Sequence, residues 1–199
     1  MDCSKITAGF IVADCDGPAL AGTSGRVILL SLSDIDRAKS TVAQNVISSI
    51  VLKQGAKGYE VDSLPNAVVG DAPINAGTYI TTFQHTLTVR IFKKSEAAKK
   101  FVNQLPTARV VAIVENNERG ADGEVKYEVY GWNSGLSLTD LTATTEMTDG
   151  VAYQIGLGSS STAQEKSLPL SFFNTDEATT DEAVVALLGA TQQPDGSDA

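Results

Sequence analysis

A chain of 199 residues, 42% of them hydrophobic and 20% charged, is long enough for one packed domain, with or without an appendage. Its formal net charge of −9 argues against passive attraction to nucleic acid or to an anionic membrane. No apolar run is long enough to cross a bilayer as a helix, and two cysteines, Cys3 and Cys15, make no disulfide framework.

The N-terminal "ITAGFIVA" is short, follows Asp2 and Lys5 and runs into Asp14, so no signal peptide is expected and the chain reads as soluble and made in the cytoplasm. Cys3 and Cys15 are compatible with free thiols in a reducing compartment or with a single disulfide. "DCDG" (Asp14 to Gly17) resembles part of a calcium loop but lacks the closing glutamate, and a turn is expected there. "RVILLSL" (Arg26 to Leu32) has the length and composition of a strand, and Asp34 to Ser40 those of a loop or one helical turn. Ile47 to Lys53 and Tyr59 to Leu64 are expected to pair as a hairpin around Gln54 to Gly58. "PNAVVGDAPINAG" is rich in turn formers and reads as a loop.

"TFQHTLTVRIF" alternates cleanly. Phe83, His85, Leu87, Val89 and Ile91 share one face, as expected of a half-buried antiparallel strand. "SEAAKKFVNQLP" predicts a helix with Ser95 as N-cap, an apolar face of Ala98, Phe101, Val102 and Leu105, and a stop at Pro106. Val110 to Val114 is apolar on both faces, which fits a strand covered on both sides. Its return strand places Val125, Tyr127 and Val129 on one face and Lys126, Glu128, Tyr130 and Trp132 on the other. The connection from Glu115 to Glu124 is long, polar and glycine-bearing, so it is expected to be mobile or to dock on something. "VAYQIGLG" and "SLPLSFF" supply two more strands around Ser159 to Ser161. A short helix is predicted from Thr180, capped by Gly189, and Gln192 to Ala199 reads as a disordered tail. From Ser167 onward there are six acids and no Lys or Arg, so most of the net charge belongs to this end. The expected domain is 1–173, with 174–199 as an acidic appendage. About seven or eight strands and one helix suggest a mainly β protein: an antiparallel β-sandwich or open barrel with one flanking helix and a long protruding hairpin.

The chemistry-bearing residues are sparse. His85, the one histidine, lies on an apolar strand face, where a core residue is the expectation. Even with both cysteines it leaves a zinc site one ligand short. "GTSG" (Gly22 to Gly25) is not a nucleophile elbow, and "GLGSSS" (Gly156 to Ser161) is too short for a phosphate loop. No enzyme, metal site or cofactor is predicted. Lys93, Lys94, Lys99 and Lys100 make a solvated helix face or an intersubunit salt-bridge partner. Tyr130 and Trp132 pack in the core or anchor an interface.

From Asn75 onward, "GTYITTFQHTLTVRIFKKSEAAKKFVNQL", "ARVVAIVENNERGADGEVKYEVYGWNSGLSLT", "MTDGVAYQIGLGSSS" and "SLPLSFF" follow one another in an order that resembles the tail-tube (major tail) proteins of long-tailed phages. The N-terminal "DCSKITAGFIVADC" is weakly similar to the opening of such chains. This resemblance implies a β-sandwich with a flanking helix, hexameric rings stacked into a hollow tube, and DNA passing through the bore without specific binding. It implies a virion protein whose partners are itself and neighbouring tail proteins such as the tape measure. Glu115, Asn116, Asn117, Glu118, Arg119, Gly120, Asp122 and Glu124 then become a candidate assembly loop, with Tyr130 and Trp132 as candidate interface anchors. The charged hairpin tip and the acidic tail depart from the family pattern and leave open another tail or connector component. A β-sandwich recognition module of a fibre is the alternative from a different class.

Overall fold

Side chains alternate along a strand, so an unbroken apolar run such as Val110 to Val114 has to be covered on both faces. A computed structural model shows what covers it; it describes residues 20–77, 80–144, 150–161 and 164–189. Cys3, Cys15, the "DCDG" stretch and the end of the chain from 190 lie outside the described residues.

The elements in chain order are β1 (Thr23–Ser31), β2 (Thr41–Ala43), β3 (Val46–Ser49), β4 (Tyr59–Asp62), β5 (Val68–Asp71), β6 (Ile74–Ala76), β7 (Thr81–Phe83), β8 (Thr86–Ile91), α1 (Glu96–Gln104), β9 (Val110–Asn116), β10 (Tyr127–Tyr130), β11 (Leu136–Ala143), β12 (Tyr153–Ser159), β13 (Leu170–Phe172) and α2 (Glu177–Leu187). The fold is mainly β, as the sequence predicts. One sheet runs β4-β1-β9-β10-β13-β3-β2, with β13 and β3 parallel. A second, fully antiparallel, runs β11-β12-β8-β5. A single corner, Leu136 opposite Val110, joins them.

Val27, Leu29, Val110, Ala112 and Val114 of the first sheet pack against Leu87, Val89, Ile155 and Leu157 of the second. Val102 of helix α1 and Leu105 in the turn after it close the side of this core, while Ala98 and Phe101 pack beside them. Ser95 caps it as predicted, its side chain accepting from the Ala98 N–H. The opposite face of the first sheet, with Ile28, Leu30, Val111, Ile113, Tyr127 and Val129, is covered by Val184, Leu187 and Leu188 at the C-terminal helix. The order of layers is therefore sheet, sheet, helix.

Several expectations are corrected. The segments 46–49 and 59–62 do not pair with each other: β3 joins β2 and β13, and β4 joins β1. The expected loop after Pro65 contains β5 and the first arm of a β6–β7 hairpin. The alternating strand is interrupted at Gln84–His85, where β7 leaves to pair with β6. Helix α2 begins at Glu177 with Asp176 as its N-cap, one turn before Thr180. It is no appendage, because its apolar face is one wall of the second core.

Candidate functional site

The opening expectation placed assembly in the tip of the β9–β10 hairpin. Glu115 and Asn116 belong to strand β9, and the rest of the tip folds back on the same chain. Glu118 accepts from the N–H groups of Leu20, Arg119 and Gly120, and Glu124 from those of Ala121 and Asp122. These bonds hold both carboxyls below their ordinary pKa. Asn117 ties the tip to residues 21–22 through its N–H and side chain. Arg119 pairs with Glu177 of α2. Gly123, at φ +87°, lies so close to the helix that a Cβ would stand 2.6 Å from that of Glu177, so glycine is required there. The tip docks within the subunit.

Lys126 extends this junction. Its side chain, 6% exposed, lies 2.7 Å from Asp181 and 2.9 Å from Glu177, and Tyr127 Oη donates to Asp181 at 2.8 Å. Burial alone would lower the Lys126 pKa, but Asp181 and Glu177 outweigh it and raise the pKa. The acidity of α2 is thus partly spent on fastening the helix to the sheet.

Trp132 and Tyr130 are both buried, at 5% and 6% exposure. Tyr130 points between the sheets, donates to Glu128 at 2.9 Å and meets the His85 ring edge-on at 5.6 Å. Strand alternation would put Trp132 on the same face. Gly131, at φ +72°, breaks that alternation and turns Trp132 into the core under α2, with the Arg37 guanidinium 4.8 Å from its ring.

The turn after Trp132 is organised by Glu165, which is 1% exposed. Its carboxylate accepts from the backbone N–H and side-chain amide of Asn133 and from the N–H and hydroxyl of Ser134, at 2.7–3.1 Å. Burial would raise its pKa, but the Ser134 and Asn133 donors prevail and hold it low. His85 is equally buried: its Nδ1 accepts from the Gly131 N–H at 3.1 Å and its Nε2 donates to the Ser167 carbonyl at 2.9 Å. Burial lowers its pKa, against weaker opposing contributions from Ser167, Glu165 and Glu128. Both ring nitrogens are engaged in holding backbone.

Among the described residues no group of three or more His, Cys, Asp and Glu side chains converges to hold a metal. A cleft of about 570 Å³ lies beside Arg90, Phe92, Thr142 and Gln154, and Arg90 is its one ionisable side chain.

The surface feature that stands out is the second sheet. Its outer face carries Val69 and Asp71 on β5, Thr86, Thr88 and Arg90 on β8, Gln154, Gly156 and Gly158 on β12, and Ser137, Thr139, Asp140 and Thr142 on β11. Small polar residues dominate, with one arginine against two aspartates. Among the described residues, no strand pairs with the outer edge of β5, nor with that of β11 beyond the corner at Leu136. The bond from the Thr144 N–H to the Ala152 carbonyl sets the phase of β11, so Leu141 and Ala143 turn their N–H and C=O groups toward the free edge. Edge groups of this kind are a template for pairing with another chain. No family model matches the chain, and no curated protein or solved structure matches it.

Proposed function

We propose that this chain is a structural subunit that pairs edge to edge into a closed ring, and that the rings stack into a tail-tube-like conduit for DNA. The observation that carries this reading is the second sheet: four antiparallel strands, a smooth polar outer face and, among the described residues, two edges that no strand pairs beyond the corner at Leu136, the β5 edge being touched at the Val68 carbonyl by the Thr23 hydroxyl. With four strands alternating in direction, β5 and β11 run antiparallel to each other. Copies related by a rotation axis then bring β5 of one against β11 of the next as a regular antiparallel ladder. Repetition of one head-to-tail contact closes a ring when the rotation closes. It also removes both edges, as barrel closure does.

The outer face then lines the bore. A conduit requires the duplex to slide, and each phosphate neutralised by Lys or Arg adds a salt-dependent holding contribution. A wall of Thr, Ser, Gly and Gln with Arg90, Asp71 and Asp140 holds DNA weakly. A sixfold ring, contacts with tape-measure and other tail proteins, and a place in the virion follow from the family resemblance and belong to this proposal.

Ala143→Pro tests it. The substitution removes an edge N–H that faces away from β12, so the internal ladder is untouched and proline is tolerated. Light scattering should show assemblies for the parent chain and folded monomers for the variant. Assembly unchanged by the substitution would contradict edge pairing.

A further inference from the structure

We infer that His85 is an acid-operated latch: protonation of its ring breaks the contact that holds the Gly131–Ser134 turn to the base of the β6–β7 ribbon, while both cores stay packed. The chemistry of the two ring contacts carries the inference. The Gly131 N–H can only donate, so the Nδ1 it reaches at 3.1 Å has to be an unprotonated acceptor. The Ser167 carbonyl can only accept, so the Nε2 facing it at 2.9 Å has to carry the proton. One neutral tautomer satisfies both contacts, and the imidazolium satisfies only the second. A proton added at Nδ1 faces the Gly131 N–H donor to donor, at a residue that solvent hardly reaches.

The place of His85 in the fold makes the break local. It lies between β7 and β8, where the chain passes from the ribbon to the second sheet. Its backbone is fixed to the end of β12, its N–H donating to the Ser159 hydroxyl at 3.1 Å and its carbonyl accepting from the Ser159 N–H at 2.8 Å. Phe83 exchanges two backbone bonds with Glu165, at 2.9 and 3.0 Å, and Glu165 holds the far end of the turn at Asn133 and Ser134. The turn is thus pinned at Gly131 by the imidazole and at Asn133 and Ser134 by the carboxylate, and neither group belongs to the two apolar cores. The ionisable groups around the ring are Glu128 and Tyr130 from β10 and Glu165 from the segment 164–168; Lys166 beside Glu165 is exposed, and β12 brings only the uncharged Ser159. Burial holds His85 below its ordinary value, against weaker pulls from the Ser167 carbonyl, Glu165 and Glu128. Glu165 is itself held low by Ser134 and Asn133, so it keeps both partners while His85 takes up its proton. A released ring titrates near its ordinary 6.5, so the latch is closed at neutral pH. Below that value the open fraction grows up to about tenfold per pH unit, until the folded value is reached.

His85 is the one histidine, so its ring signals in NMR spectra of the full chain are unambiguous. At pH 8 the ring nitrogens should report a proton on Nε2 alone. As pH falls to 4, amide hydrogen exchange at Gly131, corrected for the intrinsic effect of pH, should rise about tenfold or more with the midpoint of the ring signals. The amides of Val111 and Ile113 in β9 should stay protected throughout. His85→Gln offers an acceptor and a donor but does not titrate, so it should remove the rise at Gly131; the ring titration and Gly131 exchange of the parent chain decide the matter even where the variant fails to fold. A ring protonated on Nδ1 at pH 8, Gly131 exchange that ignores the His85 midpoint, or Val111 and Ile113 losing protection together with Gly131 would each overturn the latch.

Discussion

Glutamine in place of Glu165 keeps the side-chain volume but turns an acceptor into a donor facing the Asn133 and Ser134 N–H groups. Leaving one such buried donor unpaired costs about 1–3 kcal/mol. Glu165→Gln should therefore lower the denaturant midpoint, with a collapse of near-ultraviolet signal from Trp132 well before far-ultraviolet signal disproving the two-state assumption behind that figure. His85→Gln should cost a similar ~1–3 kcal/mol, since both ring partners lie in the backbone. The pH dependence follows from the directions of the two shifts. His85 binds protons less readily when folded, so the stability it contributes is complete above its unfolded value near 6.5 and declines as pH falls from there toward its folded value. Glu165 is held low, so its contribution is present above its unfolded value near 4.3 and is lost as pH falls through its folded value. Urea midpoints measured from pH 8 to pH 4 should be level at first and fall below about 6.5, and His85→Gln should abolish the first part of the fall. A midpoint that rises on acidification contradicts the assignment. Strand alternation pointed to a buried His85, and it is buried, but in the break between β7 and β8 rather than within a strand. The role of Glu165 was not legible, because "AQEKS" reads as solvated loop and its partners lie 31 and 32 residues away. Trp132 was misplaced by counting alternate residues through a glycine with positive φ.

Helix α2 shows how an element's role escapes local reading. Its acids suggested a solvated appendage, yet Val184, Leu187 and Leu188 cover the first sheet while Asp181 and Glu177 meet the buried Lys126. Leu187→Ala should cost about 2–5 kcal/mol, the range for buried leucine truncation. Removing residues 174–199 should yield protein that binds hydrophobic dye and unfolds without a cooperative transition. A cooperatively folding truncated chain would show that the helix is dispensable. The Ser95-capped helix and the doubly covered strand β9 were legible, because capping chemistry and unbroken apolar runs are local signals. Strand partners were not: β3 and β4 are joined by an obvious turn but pair elsewhere, and β13 reaches β3 in parallel from the far end of the chain. The "PNAVVGDAPINAG" stretch hides β5 and β6 because Pro65 and Pro73 fall outside these short strands, while Gly70 lies within β5, an outer strand of its sheet where glycine is tolerated.

At the scale of the whole molecule, the proposed ring rests on four alternating strands whose two edges pair with no strand beyond one corner among the described residues, and the proposed passage rests on their weakly charged outer face. Gel-shift assays with double-stranded DNA at physiological salt should show no retained complex for the full chain; tight binding would show that the wall holds phosphate. The sheet edges on which the proposal rests were not visible in the sequence, where the polar tip at Glu115 to Glu124 looked the better assembly element; the fold turns that tip inward onto α2. The most direct measurement is electron microscopy of the purified protein at high concentration. The account predicts annular particles or stacked tubes whose bore admits a B-form duplex, with the second sheet facing inward. Solitary subunits at every concentration, or rings lined by the α2 face, would contradict it.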